Sequence, residues 1–246
     1  MRQGIKHNIK ENKSYYLTMT IVDWVDLFTR KAQRDIFIAS LKYCIEQKGL
    51  NVYAYWMMSN HIHLIVNNDE PFLLRDTVRD LKKFTSKAFV QEIINGKESR
   101  RDWLIELFQK HGAQDPKNKT FKVWQSGNHV IELYSESFTW DKINYIHRNP
   151  VEAGFVSYPT EWLYSSASNY AKKEYLILPE VICISPRQIT VMWRFGLEYR
   201  RVANPAEQKS RKSKDNYRIY FKTHCHFSIP FLKESNDRDI TLVDTH

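Results

Sequence analysis

Residues 14–22, SYYLTMTIV, are β-branched and aromatic and predict a first strand. Phe37, Leu41, Cys44 and Ile45 then recur at helical spacing, which predicts a helix over 33–48 with Gly49 as its stop. Asn51 to Met58 reads as a second strand, Ser59-Asn60 as a turn and His61 to Val66 as a third strand. Val78, Leu81, Thr85, Ala88 and Phe89 share one face of a helix over 75–94 that ends near Asn95-Gly96. Residues 97–122 are charged and weakly patterned, a loop or partly helical insertion. A strand over 123–133, turned at Ser126-Gly127, and a helix over 135–149 stopped by Pro150 complete the order β-α-β-β-α-β-α. That order is the ferredoxin-like split βαβ pattern, an α+β class with an antiparallel sheet covered by helices on one face.

Composition fits that picture and adds a partner. The 246 residues suit a core of about 180 with an appendage. The hydrophobic fraction of 42% and the aromatic fraction of 14% exclude wholesale disorder. A net charge of +9 and a pI near 9.3 favour a polyanion such as nucleic acid. Cys44, Cys183 and Cys225 form neither a disulfide framework nor a paired metal site, so a reducing cytoplasm is expected. No apolar run is long enough to cross a membrane, and the basic start MRQGIKHNIKENK lacks the apolar stretch of a secretory signal. The expected division is a basic arm over 1–13, a folded domain over 14–185 and a basic extension over 186–246. Residues 187–222 hold ten Lys or Arg against three acids, either a solvated tail or a grip on nucleic acid.

Two patterns carry candidate chemistry. Strand side chains alternate faces, so His61 and His63 point the same way, about 6.7 Å apart along the strand, with Ile62 in the core. Such a pair can clasp a divalent metal from one side, or it can be two surface histidines. On the later helix Tyr145 and Asn149 stand at i and i+4, which brings a phenol and a neutral oxygen ligand together. Taken alone, they are a buried tyrosine and an asparagine before a proline.

MSNHIHLIV at 58–66, WQSGNH at 124–129, INYIHRNPVEAGFV at 143–156 and WLYSSASNY at 162–170 occur together, in order. Over roughly residues 14–180 the chain resembles the HUH-type single-tyrosine transposases, specifically the REP-associated tyrosine transposase branch. The resemblance implies a ferredoxin-like domain that cuts and rejoins single-stranded DNA. His61 and His63 match the family's metal-binding histidines, and Tyr145 matches its nucleophile. Asn149 stands where related enzymes take a third ligand, and His147 falls on another helix face. Two histidines plus an amide suit Mg²⁺ or Mn²⁺. The expected activity is a metal-dependent endonuclease and strand transferase working through a 5′-phosphotyrosine at hairpin or repetitive elements. A replication nickase with the same chemistry and a non-cleaving hairpin DNA or RNA binder are the alternatives. Monomer and homodimer stay open, as does the base that deprotonates Tyr145.

Substrate grip is expected from Arg75, Arg79, Lys82, Lys83 and Lys87, a basic stripe along one helix that suits a phosphate backbone or is an ordinary solvated face. Trp124, Trp140 and Trp162 are candidates to stack unpaired bases, with burial in the core as the competing role. His224-Cys225-His226 has no partner ligands at zinc-finger spacing and reads as a chance cluster.

Overall fold

The computed structural model describes residues 13–115, 120–173 and 176–184. The basic arm, the extension beyond residue 184 and the His224-Cys225-His226 cluster lie outside them. Four strands form one antiparallel sheet: β1 (Tyr15–Thr20), β2 (Leu50–Met57), β3 (His61–Asn68) and β4 (His129–Glu132), in the order β2-β3-β1-β4. Five helices accompany it: α1 (Lys31–Gln47), α2 (Leu74–Asn95), α3 (Arg101–Ala113), α4 (Glu136–Glu152) and the short α5 (Ala167–Tyr170). The split βαβ order predicted from the sequence is therefore present, with β1 and β3 central.

Each strand sorts its side chains by parity. Leu17 and Met19 of β1 and Ile62, Leu64 and Val66 of β3 enter the larger core with Phe37 and Leu41 of α1 and Val78, Leu81 and Phe89 of α2. Tyr16 and Ile65 face the other way, into a smaller core completed by Ile143 and Ile146 of α4. The helices thus divide between the faces instead of sharing one, because α4 carries its own apolar edge and covers the side that α1 and α2 leave open.

Boundaries follow local chemistry. After α1 the chain turns at Gly49, whose φ of +58° and 3.1 Å Cβ-to-Phe72 clearance suit glycine alone. The charged stretch after Gly96 contains a full helix, α3, because Leu104 and Phe108 one turn apart are buried against the main core. The expected strand over 123–133 shrinks to β4, preceded by a turn with Gly127 at φ +78°. Pro150 does not stop α4, which runs to Glu152. Pro150 removes one N–H from the ladder and crowds the carbonyl one turn before it, but the helix continues for two more residues, and Gly154 at φ +74° follows its end. Among the described residues no helix is long and apolar enough to cross a membrane.

Candidate active site

The two histidines meet because β3 pairs with β1 in a fixed register, Thr18 opposite His63 and Thr20 opposite His61. Their rings lie 4.9 Å apart, centre to centre, on the sheet face turned toward α4. His63 is sandwiched between Trp56 of β2, stacked at 5.3 Å, and Tyr16 of β1, also at 5.3 Å. Its Nδ1 lies 2.8 Å from the Tyr16 hydroxyl and 3.0 Å from the Thr18 hydroxyl. Burial pushes the His63 pKa down to about 3, with smaller contributions from His61, His129 and Lys142. Burial also lowers the pKa of His61. Nδ1 of His61 lies 2.7 Å from the Asn60 side-chain oxygen, which can only accept, so that nitrogen carries the proton and Nε2 keeps its lone pair. His129, opposite Thr18 on the β1–β4 side, is a third imidazole on this face. Among the described residues, though, no three His, Cys, Asp or Glu come together as a metal cluster.

Helix α4 brings the phenol. Ser135 caps it by accepting from the Phe138 N–H at 3.3 Å, and Ile143, Ile146 and Pro150 are buried on its inner side. Tyr145, between those anchors, is 46% exposed, and its ring lies 6.1 Å from His63 and 6.5 Å from Tyr16. Nζ of Lys142 lies 5.6 Å from the Tyr145 ring centre and 5.3 Å from that of Tyr16. Tyr16 is itself a poor candidate for ionisation, since burial pushes its hydroxyl up to about 12. Asn149, one turn beyond Tyr145, is half-buried, and its amide nitrogen is enclosed without a hydrogen-bond partner. No hydrogen bond joins it to either histidine. The structure thus brings His61, His63 and Tyr145 together.

The sequence of this β1–α3 portion has relatives. Residues 10–112 match the family model of the IS200-like transposases. The match contains both histidines and ends before Tyr145 and Asn149. A search of curated proteins found no match. Among solved structures, a REP-associated tyrosine transposase bound to a REP hairpin is similar at 16% identity, covering 72% of this chain and 90% of that one, with a TM-score of 0.46. A protein of Deinococcus radiodurans R1, provisionally named a transposase, is similar at 17% identity, covering 59% and 95%, with a TM-score of 0.33.

What holds α4 against the sheet is the segment 162–170, whose purpose the sequence alone did not disclose. Its backbone joins the β2 edge, with the Met57 N–H donating to Tyr164 O at 3.0 Å and the Ser166 N–H to Tyr55 O at 3.0 Å. The Ser166 hydroxyl accepts from the Tyr55 N–H at 2.9 Å and lies 2.8 Å from Nε2 of His147 on α4. His147 is therefore a buried strut, on a different face from Tyr145, and burial pushes its pKa down to about 4. Both His63 and His147 refuse a proton that the unfolded chain accepts near pH 6.5. Folding stability is expected to be intact above that pH and to fall as the pH drops toward 4, by up to about 1.4 kcal/mol per pH unit for each group. Urea titrations at pH 7 and pH 5 measure this. His147→Gln, which keeps a donor for Ser166, is expected to flatten the decline.

The basic helix α2 lies behind the sheet from the histidines, on the larger core. Lys83 and Lys87 are exposed on it, as expected of a stripe. Arg79 is exposed too but bonds to Asp76 at 2.7 Å and Asp80 at 3.0 Å. Lys82 departs from the expected stripe. It turns inward to Gln125 O at 2.9 Å and Asn128 Oδ1 at 2.8 Å, and burial, with Lys122 second, pushes its pKa down to about 7. Lys82 thus fastens the 125–128 turn that leads into β4. Trp124 belongs to the core, 4% exposed, with its indole N–H on Thr85 at 2.9 Å, and Trp162 donates to Met57 O at 3.0 Å.

Proposed function

We propose that this protein is a metal-dependent single-stranded DNA endonuclease and strand transferase of the transposase type, cutting at hairpin or repetitive elements through a 5′-phosphotyrosine. The observation that carries the reading is the meeting of two imidazoles, both held neutral by burial, with one exposed phenol on a single sheet face. The IS200-like match over residues 10–112 supports it independently.

The donor set fits a divalent ion. A metal takes a neutral imidazole, and with each Nδ1 engaged by Asn60, Tyr16 or Thr18, the Nε2 atoms of His61 and His63 are the natural ligands. The side-chain oxygen of Asn149, one helical turn beyond Tyr145, would add a third ligand for Mg²⁺ or Mn²⁺. The chemistry a bound ion supplies is polarisation of the scissile phosphate and support for the departing 3′ oxygen.

The chain's own residues do the rest. The Tyr145 oxygen attacks phosphorus in line, the bond from phosphorus to the 3′ oxygen breaks, and the phenol's proton ends on the released 3′-hydroxyl. The phosphotyrosine retains the energy of the broken phosphodiester, so a 3′-hydroxyl can later attack it and rejoin DNA without ATP. Lys142 holds a positive charge beside Tyr145, where the phosphate's negative oxygens arrive. The 6.1 Å between the Tyr145 and His63 rings supports a site completed within one chain, so a homodimer is not needed for chemistry.

The test is incubation with end-labelled hairpin DNA and Mn²⁺ or Mg²⁺, followed by denaturing electrophoresis. Label migrating with the protein, and removed by protease, is the expected result. DNA that binds without forming this adduct under either metal would support the non-cleaving binder instead.

A further inference from the structure

Directly after β1 the chain makes a 3-10 turn, Val22–Trp24, in which two successive non-glycine residues adopt left-handed backbone, Asp23 at φ +51° and Trp24 at φ +55°. Such conformations persist where the surroundings over-determine them, and they gather at ligand clamps. The surroundings here are firm. The Val22 N–H donates to Val123 O at 2.9 Å, the Trp24 N–H to Ile21 O at 3.1 Å, and the Asp23 carboxylate lies 2.8 Å from Nε2 of His111 on α3. What this turn presents is an indole that is 58% exposed, although tryptophan is ordinarily one of the more buried residues. The indole sits against the His61 ring, 5.6 Å between centres and tilted 73°, on a histidine that Trp56 contacts from elsewhere at 5.4 Å.

We propose that Trp24 is a stacking platform for one unpaired nucleobase of the substrate strand, adjacent to the phosphate that Tyr145 attacks. The inference rests on the strand-transferase reading above. A flat, open aromatic surface held rigidly beside the candidate catalytic histidines matches a flat, largely apolar ligand, and a base released from pairing is such a ligand. Stacking on an indole is tolerant of base identity, so Trp24 contributes affinity and positioning while sequence is read elsewhere. Trp124, buried against Phe37 and Phe89, has no such open face.

The test uses the full chain and a hairpin DNA with short single-stranded flanks, chosen from a pool with randomised loops and flanks as the tightest binder. Flank nucleotides are replaced one at a time by an abasic residue, and affinity is measured by fluorescence anisotropy. With the wild-type protein, one abasic position is expected to weaken binding by about tenfold. Trp24→Ala is expected to weaken binding of the intact DNA by a similar factor and to abolish the penalty at that one position. Trp24→Phe, which keeps a ring, is expected to restore most of the affinity and of the penalty. Abasic penalties that are the same in Trp24→Ala as in wild type would overturn the platform. So would an indole that only shields His61, seen as weaker Mn²⁺ binding by Trp24→Ala with unchanged DNA affinity. Adduct formation by the wild-type protein is measured on the same DNA. An adduct without base coupling sinks Trp24 alone, whereas a wild-type protein that binds none of the DNA sinks both readings.

Discussion

Tyr145→Phe is expected to eliminate the covalent protein–DNA adduct, lowering its rate of formation by a factor on the order of 10⁴ or more, while hairpin affinity stays within about twofold. The substitution removes one oxygen and keeps the ring that packs near His63 and Tyr16. Tyr145 is 46% exposed, so the lost hydroxyl leaves no buried group unpaired and stability should change by less than about 0.5 kcal/mol. The informative control is the other phenol of the site. Tyr16 is 4% exposed, its hydroxyl is engaged with His63, and burial disfavours its ionised form. Tyr16→Phe should therefore still yield adduct, more slowly. An adduct that survives Tyr145→Phe and disappears in Tyr16→Phe would exchange the two roles.

The contrast between these phenols shows what the sequence could and could not disclose. The sequence shows Tyr145 and Asn149 one helical turn apart and His61 and His63 two strand positions apart, but these spacings single out candidates only through the family that the four motifs together resemble. Both spacings are local periodicities. The shell around His63 is not local. Tyr16 and Thr18 reach it from β1, and Trp56 from β2, through a register that no short window contains. The same limit hid the work of residues 162–170, whose hydrogen bonds go to β2 more than a hundred positions earlier. Lys82 shows the converse failure. Helical spacing put it in a stripe with Arg79, Lys83 and Lys87, but spacing cannot tell which lysine meets the carbonyls of a distant turn. The placement of α4 across the second sheet face also escaped the pattern of elements, since a split βαβ order fixes strand sequence and says little about a helix appended after it.

His61→Ala should abolish metal-dependent cleavage and weaken Mn²⁺ binding, followed by calorimetry or by the Mn²⁺ spin-resonance signal, by at least about a hundredfold. His61 is the better of the two histidines to remove. His63 lies between Trp56 and Tyr16 and is 6% exposed, so deleting it opens a hole and strands the Tyr16 hydroxyl, at a cost of about 1–3 kcal/mol that would blur the result. His61 is only half-buried, and its Nδ1 partner Asn60 sits in a turn near solvent. Tyr16→Phe provides the graded companion. It leaves both imidazoles in place and withdraws one of the two oxygens that orient His63, so Mn²⁺ affinity should drop by about 10–100-fold, short of the loss in His61→Ala. The order wild type, Tyr16→Phe, His61→Ala in metal affinity is what a ligand and its orienting neighbour must produce. Equal Mn²⁺ affinity in all three proteins, or full adduct formation in the presence of a chelator, would remove the metal from these histidines and leave Tyr145 without the electrostatic help on which its attack depends.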